Sequence, residues 1–161
     1  MKQKNNLLNQ MVRISFVLYI FLLTWIIVFK FRIDIRNLRY LRTINLIPFK
    51  ENALKEILIN IFLFIPYGMY LRELTEKKSL TVGMIILTSF IFELLQYILH
   101  IGISDITDVM MNTLGGIIGI LFISILKEKI GDSKGFNHSI KYLLSIIPFL
   151  MILLLLLLWV Y

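Results

Sequence analysis

Cysteine is absent from this sequence. That excludes a disulfide framework, a thiolate metal centre and a thiol nucleophile. Charge is scarce too. Of the 161 residues 17% are charged, against 58% hydrophobic, and the mean hydropathy is +0.84. A water-soluble core in a chain of this length could not hide so much apolar surface. Histidine occurs only as His100 and His138, and neither stands in a pattern that activates Ser104, which lacks a nucleophile-elbow context. No phosphate-binding glycine loop and no internal repeat is present.

What the chain does have is five apolar stretches, at 12–29, 57–71, 80–99, 109–126 and 143–161. A bilayer core of roughly 30 Å asks for about 20 residues of helix. The expected fold is therefore all-α: one domain over 1–161, a polytopic transmembrane bundle of about five segments. The second stretch is short and contains Asn60, Pro66 and Gly68, so it reads as a Pro-kinked span or a re-entrant segment shielded by protein. The first follows a basic start and is not succeeded by a small-residue cleavage site, which favours a retained helix over a signal peptide. The last, with its leucine run and terminal Trp159 and Tyr161, reads as a lipid-facing anchor with an interfacial aromatic end.

The formal charge of +7 comes from seventeen Lys and Arg between the apolar runs, placed to meet anionic lipid headgroups. Because they are divided among membrane-flanking loops, nucleic acid is not an expected partner. Between the first two segments, 30–56 carries Arg39, Arg42 and Lys50 among apolar residues. It reads either as an amphipathic segment lying on the membrane or as an anion-binding patch. Two topologies compete. Five spans with the N-terminus inside put ten Lys and Arg inside and seven outside; a re-entrant second segment with the N-terminus outside gives fourteen against three. Both place 100–108 on the outer side.

Glu93, Gln96 and His100 share one face of the third segment, and Asp105, Asp108 and Asn112 repeat the spacing on the fourth. With Ile101 to Ser104 as a turn containing Gly102, an antiparallel hairpin would gather three carboxylates into one small site. Ionisable groups in a span are expensive, by at least about 2.5–3.5 kcal/mol at the helix centre, and are taken as functional by default. Bland readings stand beside this one. Glu93 would lock helices together by bonding Gln96 or Asn60, and Asp105 and Asp108 would cap the fourth helix. No cofactor is expected; oxygen ligands of this kind suit a divalent cation, but no recognised metal-ligand motif is present. Gly115, Gly116 and Gly119 contain a GxxxG spacing suited to close helix packing.

The blocks Asn45-Leu46-Ile47-Pro48-Phe49, Asn60 through Pro66-Tyr67-Gly68, Glu93-Leu94-Leu95-Gln96, Asp105-Ile106-Thr107-Asp108 and Asn112-Thr113-Leu114-Gly115-Gly116 together resemble the VanZ-like membrane protein family. The match covers roughly 45–126, and its order and spacing agree throughout. Many members carry an arginine shortly before the first Asp of the Asp-x-x-Asp pair; 101–104 has none and looks like the branch named for teicoplanin resistance. The resemblance implies a multi-pass protein of the bacterial cytoplasmic membrane, in Gram-positive cells, linked to reduced susceptibility to teicoplanin and related lipoglycopeptides.

Three classes of function follow. The first is a non-catalytic resistance factor, with membrane lipids as partners and a cell-wall precursor or the lipoglycopeptide as ligand of the polar site or of the Arg39, Arg42 and Lys50 patch. The second is an intramembrane enzyme on a lipid-linked or cell-envelope substrate, with Glu93 as general acid or base and Asp105 and Asp108 as metal or substrate ligands. The third is a transporter-like oligomer.

Overall fold

The computed structural model describes residues 2–29, 41–49, 54–75, 77–131 and 134–160. Five helices account for most of them: α1 (Lys2–Phe29), α2 (Leu54–Leu74), α3 (Lys78–Leu99), α4 (Ile106–Ile130) and α5 (Lys134–Val160). Each is long and apolar enough to cross a membrane, so the chain is a multi-pass helical membrane protein. Large apolar side chains on their outer faces, such as Ile14, Phe62, Leu87 and Leu121, are exposed as lipid-facing residues are.

The second segment is not re-entrant. Its apolar run ends where Glu56 and Arg72 begin, but the helix continues through both and reaches 21 residues. Pro66 lies inside it without ending it. The contacts agree with five full spans. Lys141 of α5 donates to Asn9 of α1 at 2.8 Å, and Lys127 of α4 pairs with Glu73 of α2 at 2.9 Å. The N-terminal ends of α1, α3 and α5 and the C-terminal ends of α2 and α4 therefore share one end of the bundle. The other end gathers the C-terminal ends of α1 and α3 and the N-terminal ends of α2 and α4.

At that other end the expected turn is instead a strand. β1 (Leu41–Asn45) and β2 (Ile101–Asp105) form a two-stranded parallel sheet that pairs Leu41 with Ile101 and Asn45 with Asp105. α3 stops at His100, which takes a left-handed conformation with φ 56° and sends its backbone N–H to the carbonyls of Gln96 and Tyr97. The chain then runs extended until Asp105 caps α4.

The closest packing is between α2 and α4, and glycine makes it possible. A Cβ on Gly119 would lie 2.0 Å from the Ile65 carbonyl oxygen, one on Gly115 2.3 Å from that of Ile61, and one on Gly68 2.0 Å from that of Gly116. These are backbone atoms, so no rotamer change relieves the overlap. Behind the seam Phe16, Tyr19, Phe64, Tyr67, Tyr70 and Phe92 form an aromatic core with ring centroids 5.3–6.2 Å apart. Their hydroxyls are satisfied: Tyr67 Oη lies 2.7 Å from Thr88 Oγ1, Tyr19 donates to the Leu63 carbonyl, and Tyr70 donates to the Leu144 carbonyl. The last bond replaces one that Pro148, four residues on and lacking an N–H, cannot give.

α5 is more than an anchor. Its first half packs on α1 through Ile140, Leu144 and Ser145, with Ser15 Oγ donating to the Ser145 carbonyl at 3.2 Å, while Leu143, Ile146, Phe149 and the later leucines face outward.

Candidate functional site

The polar residues of the sequence motifs converge at the end of the bundle that holds the small sheet. Glu93, Asp105 and Asp108 are 5%, 6% and 5% exposed, so each carboxylate is withdrawn from the surface and needs partners inside. Glu93 Oε2 accepts the backbone N–H of Asp105 at 2.8 Å, while the Glu93 carbonyl accepts Ser104 Oγ at 2.7 Å. Two bonds thus tie the end of α3 to β2.

Asp105 has three connections. Beyond its N–H, Oδ1 accepts from Thr107 N at 2.8 Å as the N-cap of α4, and Oδ2 accepts from Asn45 Nδ2 at 2.9 Å. The block Asn45 to Phe49 is held a second time where Phe49, at φ 61°, donates its N–H to Thr107 Oγ1 at 3.0 Å. Its short distance from the carboxylates is therefore fixed by the same residues that start α4. The capping role expected for Asp105 is present alongside its place in the site.

Asp108 belongs to a different surface. It lies in the first turn of α4, and its Oδ1 accepts from Asn60 Nδ2 of α2 at 2.8 Å. Two clefts result. One, of about 230 Å³, is lined by Ile26, Ile27, Lys55, Glu56, Ile59, Asn60 and Asp108, between α1, α2 and α4. The other, of about 380 Å³, has Glu93, Ser104 and Asp105 as its polar part and Ile44, Leu46, Phe90, Leu94, Tyr97, Ile106 and Val109 as its apolar walls.

The expected single site of three carboxylates is thus divided. The reason is local. Helical spacing would put Asp105 and Asp108 on one face, but α4 begins at Ile106 and Asp105 is extended at φ −124°, ψ 126°. Likewise His100 leaves the Glu93 and Gln96 face because its left-handed cap conformation ends α3 before it. Among the described residues its imidazole makes no hydrogen bond to the carboxylates, and no three His, Asp or Glu side chains are grouped to hold a metal ion.

Gln96 and Asn112 lie deeper. Gln96 Nε2 donates to the Ile27 carbonyl of α1 at 2.8 Å, and Asn112 Nδ2 donates to Ser89 Oγ of α3 at 2.9 Å. Both side chains act as interhelical ties rather than as cleft lining. Pro48 sits in the exposed turn between Asn45 and Phe49. Of the cationic patch, Arg39 and Lys50 lie outside the described residues, and Arg42 is described only as backbone in β1, opposite Gly102. Asn45 and Thr107 enter from the sequence only as members of motif blocks and Ser104 only as a nucleophile without context, because they carry no charge, and no sequence signal marks the apolar wall from Phe90 to Val109.

Comparison with known proteins bears on the same residues. The VanZ/LLP1 family model matches residues 16–127, which include both clefts and the glycine seam. The chain is 32% identical over 149 residues to Protein VanZ of Enterococcus faecium, covering 89% of this chain and 88% of that one. No solved structure matches it.

Proposed function

Because this chain belongs to the VanZ/LLP1 family, we propose that it lowers susceptibility to teicoplanin and related lipoglycopeptides without catalysis, by engaging an amphiphilic ligand in the larger cleft. The observation that carries this reading is the cleft's composition. Its apolar walls suit a hydrocarbon tail, and its polar part presents the carboxyl groups of Glu93 and Asp105 beside Ser104. A lipid-tailed glycopeptide, or the lipid-linked cell-wall precursor it competes for, joins those two chemistries in one molecule.

The hydrogen bonding favours holding over reacting. Glu93 Oε2 is engaged by a backbone N–H, both Asp105 oxygens accept fixed donors, and Ser104 Oγ donates to a carbonyl rather than to a base. A nucleophile and base within reach of each other, which acyl or phosphoryl transfer needs, are not among these pairs. The clefts are read as facing the outer side of the bacterial cytoplasmic membrane, with the N-terminus inside, because the opposite end carries ten of the seventeen Lys and Arg.

The test is susceptibility. Wild type, Glu93→Gln, Asp105→Asn and Asp108→Asn are expressed in a susceptible Gram-positive host at membrane levels matched by blot, and inhibitory concentrations of teicoplanin and vancomycin are measured. Wild type raises tolerance to teicoplanin more than to vancomycin. Glu93→Gln and Asp105→Asn, in the larger cleft, lose that gain, and Asp108→Asn, in the smaller one, keeps more of it. Unchanged tolerance at good expression of the wild type overturns the proposal.

A further inference from the structure

The opposite end of the bundle holds a second polar cavity, of about 220 Å³, lined by Asn9, Val12, Arg13, Glu73, Leu74 and Lys141. From Asn60 to Glu73 is thirteen residues of α2, about 20 Å along the helix, so this cavity is separate from both carboxylate clefts. Its charges are organised around Glu73. That carboxylate, 8% exposed, meets Lys127 Nζ at 2.9 Å and Lys141 Nζ at 3.8 Å, and Lys141 also donates to Asn9 Oδ1 at 2.8 Å. One carboxylate thus stands against two ammonium groups. Arg13, exposed on the rim, has no acidic partner among the described residues. Arg72 nearby spends its guanidinium on Ser124 Oγ at 3.3 Å and the Thr75 carbonyl at 3.2 Å.

The surroundings add to this local excess. Among the described residues this end carries ten Lys and Arg but two Asp and Glu, whereas the cleft end carries two against four. The positive charge of the described residues is therefore concentrated at the end with the cavity. Val12 and Leu74 give the cavity an apolar edge next to its cations. A basic pocket between transmembrane helices, with apolar surface running from it along the helices, is the setting in which anionic headgroups bind.

We propose that the cavity between α1, α2 and α5 binds the phosphate of an anionic phospholipid, with Arg13 and Lys141 as its cationic contacts and Lys127 held by Glu73 as an adjacent positive charge. Glu73 keeps Lys127 and Lys141 in place and prevents the two ammonium groups from repelling each other across the helix junction. The surplus charge is what the lipid neutralises.

The experiment is native mass spectrometry of the full chain in detergent, titrated with phosphatidylglycerol or with phosphatidylcholine. Phosphatidylglycerol adducts are expected to form at lower lipid concentration than phosphatidylcholine adducts. Arg13→Gln and Lys141→Gln should each weaken phosphatidylglycerol retention about fivefold, the change that one basic residue near an anionic surface makes. Lys55→Gln, at the cleft end, should leave it unchanged. Arg13 makes no described contact that folding depends on, so its variant keeps the test valid if Lys141→Gln is unstable. Equal retention by Arg13→Gln and wild type overturns the proposal, as does equal binding of the two lipids. Displacement of the lipid by inorganic phosphate at matched concentration makes the cavity a free-phosphate site and overturns the lipid assignment.

Discussion

Replacing Gly115 by alanine tests whether the α2–α4 seam holds the cleft residues in place. The new methyl carbon would lie 2.3 Å from the Ile61 carbonyl oxygen and 2.9 Å from its carbonyl carbon. Carbon and carbonyl oxygen meet comfortably at about 3.3 Å, so the two backbones must part locally by roughly 1 Å. A gap of that size forfeits about a quarter to a half of the dispersion energy along the seam, and overpacking of this kind costs about 1–3 kcal/mol. Alanine also favours the helix by about 0.8–1.0 kcal/mol over glycine, which would blur the measurement. Gly83 removes the ambiguity, since a Cβ there meets nothing within 4 Å. Helix propensity is common to Gly83→Ala and Gly115→Ala, so the difference between them isolates the clash.

The effect should reach the site as well as the stability. Asn60, which precedes Ile61, holds Asp108 across the same seam at 2.8 Å. Opening the helices by roughly 1 Å takes that pair beyond hydrogen-bonding distance. Thermal unfolding in detergent, followed by the fluorescence of Trp25 and Trp159, should place Gly115→Ala several degrees below Gly83→Ala. If the two variants melt together, the helices are not in backbone contact at Ile61 and the reasoning fails.

Two other outcomes follow from single contacts. Tyr70→Phe removes the donor to the Leu144 carbonyl and should lower stability by about 1 kcal/mol; in a Pro148→Ala background, where an amide N–H can take over, the loss should shrink, and additive effects in the double-mutant cycle would disprove the substitution of one donor for the other. The natural absence of cysteine makes orientation directly measurable: Ile47→Cys at the cleft end should react with a membrane-impermeant maleimide on intact cells and Gly131→Cys should not, and the reverse pattern would put the clefts inside.

The spans were legible because hydropathy and length are local properties, and the errors occur where a long-range contact sets the outcome. The run 57–71 looked too short for a span because Glu56, Arg72 and Glu73 interrupt its hydropathy. Glu73 is tolerated at the helix end because Lys127 and Lys141 come from two other helices, which nothing in the local window announces. The same holds for 101–105. Read alone it is five residues with one glycine between two helices, a fair turn; it is a strand because Leu41–Asn45 lies beside it, sixty positions away in register.

That pairing also explains why helical spacing and the structure arrange the carboxylates differently. A helical wheel groups Asp105 with Asp108 and His100 with Glu93 only if the helices run through all four residues. β2 claims the residues between them, so both helices stop short: α3 at the left-handed His100 and α4 at the capping Asp105. The strand pulls Asp105 towards Asn45 and leaves Asp108 facing Asn60. The five motif blocks therefore have one physical explanation. Asn45 and Phe49 hold the start of α4, Glu93 and Ser104 hold the end of α3, the glycines bring α2 close enough for Asn60 to reach Asp108, and Asn112 ties α4 to α3 below them. On this account the spacing of the blocks serves first to build two clefts at one end of the bundle, with carboxyl groups whose positions are set by the backbone of three helices and a strand.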